Sequence, residues 1–268
     1  MMRHIFSLVV FCALAAAQPS AITPSGSLRL FNGRNLDNFY TYLKATKYQD
    51  PKRVFTVHNG VLHISGEELG AIITRQSFRD YHLTVEWKWG GKTWPPRERN
   101  ARDSGILVHS VGEDGAYGGI WMESIECQII EGGCGDIILV GGKGNPSLTV
   151  ETRLGANGEL YWRKGGAPVT KNRGRFNWFG RDEVWTDTLG FRGRQEVEKP
   201  FGQWNRSEVI CDGDSITNLV NGVVVMHGKK ASHTAGKIQI QSEYAEILIR
   251  KVDLRPLSKR DKALRTAY

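Results

Sequence analysis

Glu126-Cys127-Gln128-Ile129-Ile130-Glu131 sets two carboxylates and an amide into a segment that otherwise reads as a buried β-strand. A buried charge is costly unless something pairs with it, so acids in such a setting mark either chemistry or a polar sheet face. Side chains alternate across a strand, so Ile125, Cys127 and Ile129 can pack inward while Ser124, Glu126 and Gln128 line the opposite face. Glu131 has the wrong parity for a regular strand, and one bulged residue between Gln128 and Glu131 would bring it to the same side. Two carboxylates over one groove are the equipment of glycosidic bond cleavage. A third acid, Glu86, lies on the polar side of residues 81–89, where Tyr81, Leu83, Val85, Trp87 and Trp89 alternate with His82, Thr84, Glu86 and Lys88. His109 closes the run Gly105-Ile106-Leu107-Val108-His109, as a proton shuttle near neutral pH or as a structural histidine.

The elements that must position these groups are strands. Short apolar or alternating runs recur from residue 28 to residue 257, separated by turn residues, and no long window has helical periodicity. Asn59-Gly60 and Asn221-Gly222 sit between such runs and predict type I′ hairpins. One large all-β domain fits the chain of 268 residues. Two segments resist strand assignment. Residues 90–102 carry Trp94, a proline pair and Arg97; residues 165–203 carry Arg173, Arg175, Trp178, Phe179, Trp185 and Phe191. Long loops rich in aromatic residues favour function over disorder. Trp94, Trp178 and Trp185 would offer indole faces to sugar rings, with Arg97 supplying forked donors; the alternative is that the tryptophans pin the loops to the sandwich.

Met1 to Ala17 carries Arg3 and His4, an apolar run, then Ala15-Ala16-Ala17, the three parts of a secretory signal cleaved near Ala17. The run is too short for a permanent membrane span, so the protein is expected to be exported to the periplasm or beyond the cell. The formal charge of +8 falls to 35 − 28 = +7 when Arg3 is removed. Lys and Arg are dispersed and no nucleic-acid motif is present, so a nucleic-acid partner is not expected. Of the cysteines left, Cys127 and Cys134 are spaced to meet as a disulfide across a short hairpin, with Cys211 as a buried thiol; the spacing is a poor zinc pattern.

The ordered set Leu30-Phe31-Asn32-Gly33, Leu83-Thr84-Val85-Glu86-Trp87, Asp103-Ser104-Gly105-Ile106, Glu126-Cys127-Gln128-Ile129-Ile130 and Trp204-Asn205 resembles the 3-keto-disaccharide hydrolase domain family, formerly a domain of unknown function. Asn221-Gly222, residues 236–241 and a closing strand over 245–254 extend the likeness, which spans residues 28–257 between the leader (1–17) and a basic tail (258–268). The resemblance implies a concanavalin A-like jelly-roll sandwich of two antiparallel sheets and action on sugars with a ketone at C3. Asp103 replaces an Asn often found in the family, Glu131 replaces an Asp, and the 165–203 segment is longer than expected, which bears on substrate preference.

A C3 ketone acidifies the C2 proton, so the glycosidic bond can break by elimination of the C1 oxygen followed by addition of water. That chemistry needs a base, an acid for the leaving group, and donors for the enolate. Glu126 is expected as the base, Glu131 or Glu86 as the acid, and Gln128 as a hydroxyl anchor. An arginine, or a divalent cation such as calcium held by carboxylates with Asp103, would stabilise the enolate. A sugar 3-dehydrogenase would act upstream. Two other readings fit the same residues: a retaining β-glucanase using Glu126 and Glu131, and a carbohydrate-binding jelly roll without catalysis.

Overall fold

Glycine and asparagine turns cut the alternating runs into strands among residues 20–268, the residues described by this computed structural model. The expected leader lies outside them. In chain order the strands are β1 (Leu28–Arg29), β2 (Phe39–Leu43), β3 (Phe55–His58), β4 (Val61–Ile64), β5 (Gly70–Thr74), β6 (Tyr81–Thr93), β7 (Asp103–Val111), β8 (Glu123–Ile130) and β9 (Ile137–Val140). They continue as β10 (Leu148–Leu154), β11 (Leu160–Trp162), β12 (Ala167–Lys171), β13 (Gly174–Phe176), β14 (Asn205–Asp212), β15 (Ser215–Val220), β16 (Val223–Lys229), β17 (Lys237–Ser242) and β18 (Ala245–Arg255), ending in helix α1 (Lys259–Ala267). Both predicted hairpins form. Asn59 and Gly60 take φ of 49° and 77°, and Asn221 and Gly222 take 50° and 85°, as a type I′ turn requires.

The strands build two antiparallel sheets packed face to face. The larger runs β11-β10-β16-β15-β14-β6-β18-β4-β3, with β1 on β18 and β12 on β10; the smaller runs β13-β9-β8-β7-β17-β5-β2. This is the jelly-roll sandwich. The core lies between the sheets, where Ile106, Val108, Ile125, Cys127, Ile129 and Ile240 of the smaller sheet meet Leu83, Val85, Trp87, Val209 and Ile249 of the larger. The inward parity of Ile125, Cys127 and Ile129 is as the sequence predicts, and each such buried aliphatic contributes about 1.5–3 kcal/mol relative to exposure.

Several expectations change. The 165–203 segment is not one loop: it holds β12 and β13, and its irregular part begins only after Phe176. Cys127 and Cys134 are both free and buried, as is Cys211. Cys127 faces the inter-sheet core, while Cys134 Sγ turns to the Ile130 carbonyl and the Glu198 carboxyl, so no hairpin disulfide forms. The basic tail is a helix. Ser258 and Asp261 form its capping box, and Asp261 also accepts from Arg255 Nη1 at 2.6 Å and meets His82 Nδ1 at 3.0 Å. That contact buries His82, which alternation alone places at the surface. Among the described residues no helix is long and apolar enough to cross a membrane.

Candidate functional site

The outer face of the smaller sheet is laid out in rows by strand register. Pairing of β7 with β8 sets Leu107 opposite Glu126, Gly105 opposite Gln128 and Asp103 opposite Ile130. On the far side Glu126 faces Ile138 of β9, which faces Arg175 of β13. On the near side β17 pairs Gln239 with Leu107 and Ile240 with Ile106; continued, that register sets Gln241 beside Gly105 and Glu243 beside Asp103. Further along β5 and β2 the same face is sealed by Tyr42, Ala71, Ile73, Leu107 and Trp121. Beyond that cluster the face is a buried acidic floor made by β7, β8 and β17, with Arg175 at its edge.

Gly105 is the centre of that floor. A Cβ there would run into the Oε1 atoms of both Glu126 and Gln241. The two side chains are 3 % and 1 % exposed, and neither Oε1 has a hydrogen-bond partner among the described residues. Two acceptor atoms leaning over one Cα need a proton between them, supplied by a protonated Glu126, by the Gln241 amide turned to present Nε2, or by a ligand hydroxyl. Asp103, 6 % exposed, also has an unpartnered Oδ1, while its Oδ2 lies 3.2 Å from Arg97 Nη2.

Burial and like charge set the acidity of the floor. Burial pushes the Glu126 carboxyl well above the usual carboxylate range, Asp103 and Asp136 push it further, and Arg175 opposes. Burial lifts Asp103 to about 7 against the pull of Arg97 and Arg175. Glu243 is raised well above its ordinary value by burial and then by Asp103 and Glu126. Arg175 is anchored by its 2.6 Å ion pair with the buried Asp136; burial opposes its charge, and Asp136 with Asp103 and Glu126 more than offsets that burial. A cleft of about 490 Å³, lined by Tyr161, Lys171, Asn177, Arg181 and Trp185 among others, shares Arg175 with the floor.

The structure brings together Glu126, Gln128, Asp103 and Arg97 from the sequence-predicted set. It separates the rest. Glu131 needs a bulge to join Glu126, but the β7–β8 register is continuous from Val108 to Asp103, and β8 ends at Ile130. The Glu131 carboxylate instead accepts from Arg102 Nη1 at 2.6 Å, Arg102 N at 3.0 Å and Gly190 N at 2.7 Å, which makes it a loop anchor. Glu86 sits in the larger sheet between Arg206 and Lys251, with Arg250 Nε 2.7 Å from its carboxylate, so it cannot share a groove with Glu126.

His109 takes a positive φ of 51° at the β7 irregularity and turns into the interior against Tyr81. Burial holds it neutral, down to about 4, and its Nδ1 bonds the His233 carbonyl, so it is no shuttle for the floor. Trp178 is 1 % exposed and belongs to the core, so it offers no face to a sugar. Trp185 is partly buried, donating to the Glu131 carbonyl at 2.8 Å with the Arg181 guanidinium 4.1 Å from its ring. Trp94 donates to the Ser65 carbonyl at 2.8 Å and carries Lys92 Nζ 3.3 Å over its ring. These tryptophans pin their loops, the alternative the sequence left open.

Sequence reasoning missed Gly105, Gln241 and Glu243 as site residues, and it offered Arg175 only as one of the loop arginines. The signal existed for β17, where Gln239 and Gln241 interrupt isoleucines at the same spacing as Glu126 and Gln128 interrupt theirs. As for the divalent cation, no group of three or more His, Cys, Asp or Glu side chains among the described residues is arranged to hold one. Asp103 is already committed to Arg97, so the donor set does not fit the cation raised by the sequence.

A sequence profile for a 3-keto-alpha-glucoside-1,2-lyase-like domain matches residues 26–255. No curated protein matches the chain. Among solved structures, a protein of Parabacteroides distasonis ATCC 8503 provisionally described as a glycosyl hydrolase is similar at a TM-score of 0.51 and 16 % identity, covering 87 % of this chain and 94 % of that one. A second protein of the same bacterium and description gives 0.49 and 18 %, over 86 % and 99 %. A β-glucanase of Bacillus licheniformis gives 0.45 and 11 %, over 87 % and 99 %. At these identities the likeness is one of fold.

Proposed function

The chain belongs to the 3-keto-alpha-glucoside-1,2-lyase-like domain family, and from that premise we propose that it is an exported enzyme cleaving glycosidic bonds of 3-keto-glycosides by elimination and hydration. Glu126 removes the C2 proton, the C1 oxygen leaves, and water then adds to the unsaturated ketone. The observation that carries this reading is the Glu126 carboxyl, buried over the side-chain-free Gly105 with Oε1 unpartnered. A desolvated carboxylate of raised pKa is a stronger base than one in water, which is what abstraction from carbon requires. Arg175, held by Asp136 at the edge of the floor, supports the enolate oxygen, with Arg97 as the second cation. Gln128 and Gln241 are placed for sugar hydroxyls.

A retaining glucanase needs both carboxylates over the groove, roughly 5 Å apart. Glu131 is unavailable for that role because its oxygens are taken by Arg102 and Gly190. The test compares 3-keto-trehalose with trehalose in D₂O. Cleavage of the keto sugar alone, with deuterium incorporated at C2 of the product, is the expected result. Cleavage of trehalose itself would overturn the elimination reading, and binding of either sugar without turnover would leave a carbohydrate-binding jelly roll. Export rests on the basic, apolar and small-residue run of residues 1–17. Intact mass of the secreted protein should place its N-terminus just after Ala17, and retention of residues 1–17 would refute it.

A further inference from the structure

The elimination assigned above needs a second proton-transfer group, since an alkoxide is a poor leaving group, and the two acids the sequence offers for it lie elsewhere in the fold. We propose that Glu243 is that general acid, holding a single proton shared with Asp103 across the β7–β17 pairing and passing it to the departing C1 oxygen. The inference rests on the 3-keto-glycoside reading of the same site.

Carried three residues past its last pair, Ile240–Ile106, the β7–β17 register brings Glu243, the residue just beyond the end of β17, to the level of Asp103. Side chains opposed in this way have Cβ atoms about 4.5–5.5 Å apart, and two carboxylates at that spacing do not both ionise in a buried setting. Arg97 decides which one carries the charge. Its Nη2 lies 3.2 Å from Asp103 Oδ2, while no cation bonds Glu243 among the described residues' ion pairs, so the proton resides on Glu243. Asp103 Oδ1, on a side chain nine-tenths buried, has no hydrogen-bond partner among the described residues and is left free to accept a shared proton. Burial raises both acids, and Arg97, Arg175, Asp187 and Glu126 are the other charges acting on the pair. Glu243 is partly exposed, unlike Asp103, which suits a group that must meet an aglycone on its way out.

The spacing matches the reaction. The Glu126 carboxyl leans over Gly105, and Asp103 with its partner lies two residues along the strand, roughly 7 Å away at about 3.4 Å per residue. One glycosyl unit covers that span with its C2 proton toward Glu126 and its C1 oxygen toward Glu243. In the first half-reaction the C2–H bond breaks and its proton goes to Glu126. The C1–O electron pair leaves with the aglycone oxygen, which takes the Glu243 proton, giving an alcohol and a 1,2-unsaturated 3-ketone. In the second, water oxygen bonds C1, its proton returns to the Asp103–Glu243 pair, and Glu126 returns its proton to C2. Both groups end as they began.

The experiment uses the mature protein and its Glu243→Gln and Asp103→Asn variants on 3-keto-trehalose and on 4-nitrophenyl 3-keto-α-glucoside, whose phenolate leaves without help. Glu243→Gln should lower turnover of the trehalose derivative by about 10²- to 10⁴-fold and of the nitrophenyl substrate by about 10-fold at most. With the poor leaving group the wild type should lose rate at high pH as this acid ionises, and Glu243→Gln should remove that fall. Asp103→Asn, which keeps the shape of the pair, should show the same discrimination. Equal losses on both substrates, or no loss on either, would overturn the assignment of Glu243 while leaving elimination intact. A wild type inactive on both keto sugars would instead overturn the reading on which it rests.

Discussion

Glu126→Gln is expected to lower turnover of a 3-keto-glycoside by about 10²- to 10⁴-fold while raising the melting temperature at pH 8. The loss follows from chemistry, since an amide cannot take a proton from C2. The gain follows from packing. Glu126 Oε1 and Gln241 Oε1 lean over Gly105 as two acceptors with no donor between them, and the new amide supplies one without changing the shape of the side chain. Removing an unmade buried hydrogen bond is worth about 1–3 kcal/mol, and a protein of this size gains about 2–4 °C per kcal/mol. The pH dependence has a fixed sign. Burial raises the folded-state pKa of Glu126 above its ordinary value, so what the protonated acid contributes to stability is fully present below the unfolded pKa and is lost as pH rises through the folded one. Wild type and variant should therefore melt close together at pH 4 and diverge by pH 8. Calorimetry at the two pH values, beside the activity assay, checks both halves. An inactive variant that melts lower at pH 8 would mean that Glu126 is a structural acid and that activity was lost with the fold.

That trade of stability for reactivity also separates what the sequence disclosed from what it hid. Alternation told which face of β8 carries Glu126 and Gln128, because parity is a local property of the chain. Asn59-Gly60 and Asn221-Gly222 were legible for the same reason, since a type I′ turn needs only two residues of positive φ. Alternation does not tell which sheet a strand joins, and Glu86, polar-faced like Glu126, went to the other one. Glu131 was lost to Arg102 and Gly190, the latter 59 residues away, a partnership no strand pattern encodes. The Asp103–Glu243 juxtaposition depends on register between β7 and β17, set only once the sandwich closes. His109 turned inward because β7 is irregular at that point, and a local irregularity of this kind leaves no mark in the alternation of residues. Glu126 and Gln128, placed by the parity of one strand, were found; Gln241 and Glu243, placed by the pairing of two, were not.

The second large effect is expected at Asp136, which no reading of motifs singles out. It is fully buried at the β8–β9 connection, where its Oδ1 accepts from Trp178 N at 2.7 Å and its Oδ2 from Arg175 at 2.6 Å and from Arg181. Asp136→Ala strips the partner from two guanidinium groups, of which Arg181 is itself buried, and from a buried N–H. Breaking a buried pair from one side costs about 3–5 kcal/mol, because the charge left behind is desolvated and unmatched. Chemical denaturation should show a loss of that size. Asp136→Asn should lose less, since its amide oxygen still meets Trp178 N. The consequences reach the floor through Arg175. Asp136 pushes the Glu126 pKa up, whereas Arg175 pulls it down, so removing Asp136 leaves Glu126 a weaker base beside an uncompensated cation. The acid limb of the pH–rate profile should therefore move to lower pH in Asp136→Asn, with a lower plateau. A variant that loses stability with an unmoved acid limb would show that Asp136 holds the loop alone. A moved limb would show that one buried carboxylate both closes the loop and keeps the catalytic base strong.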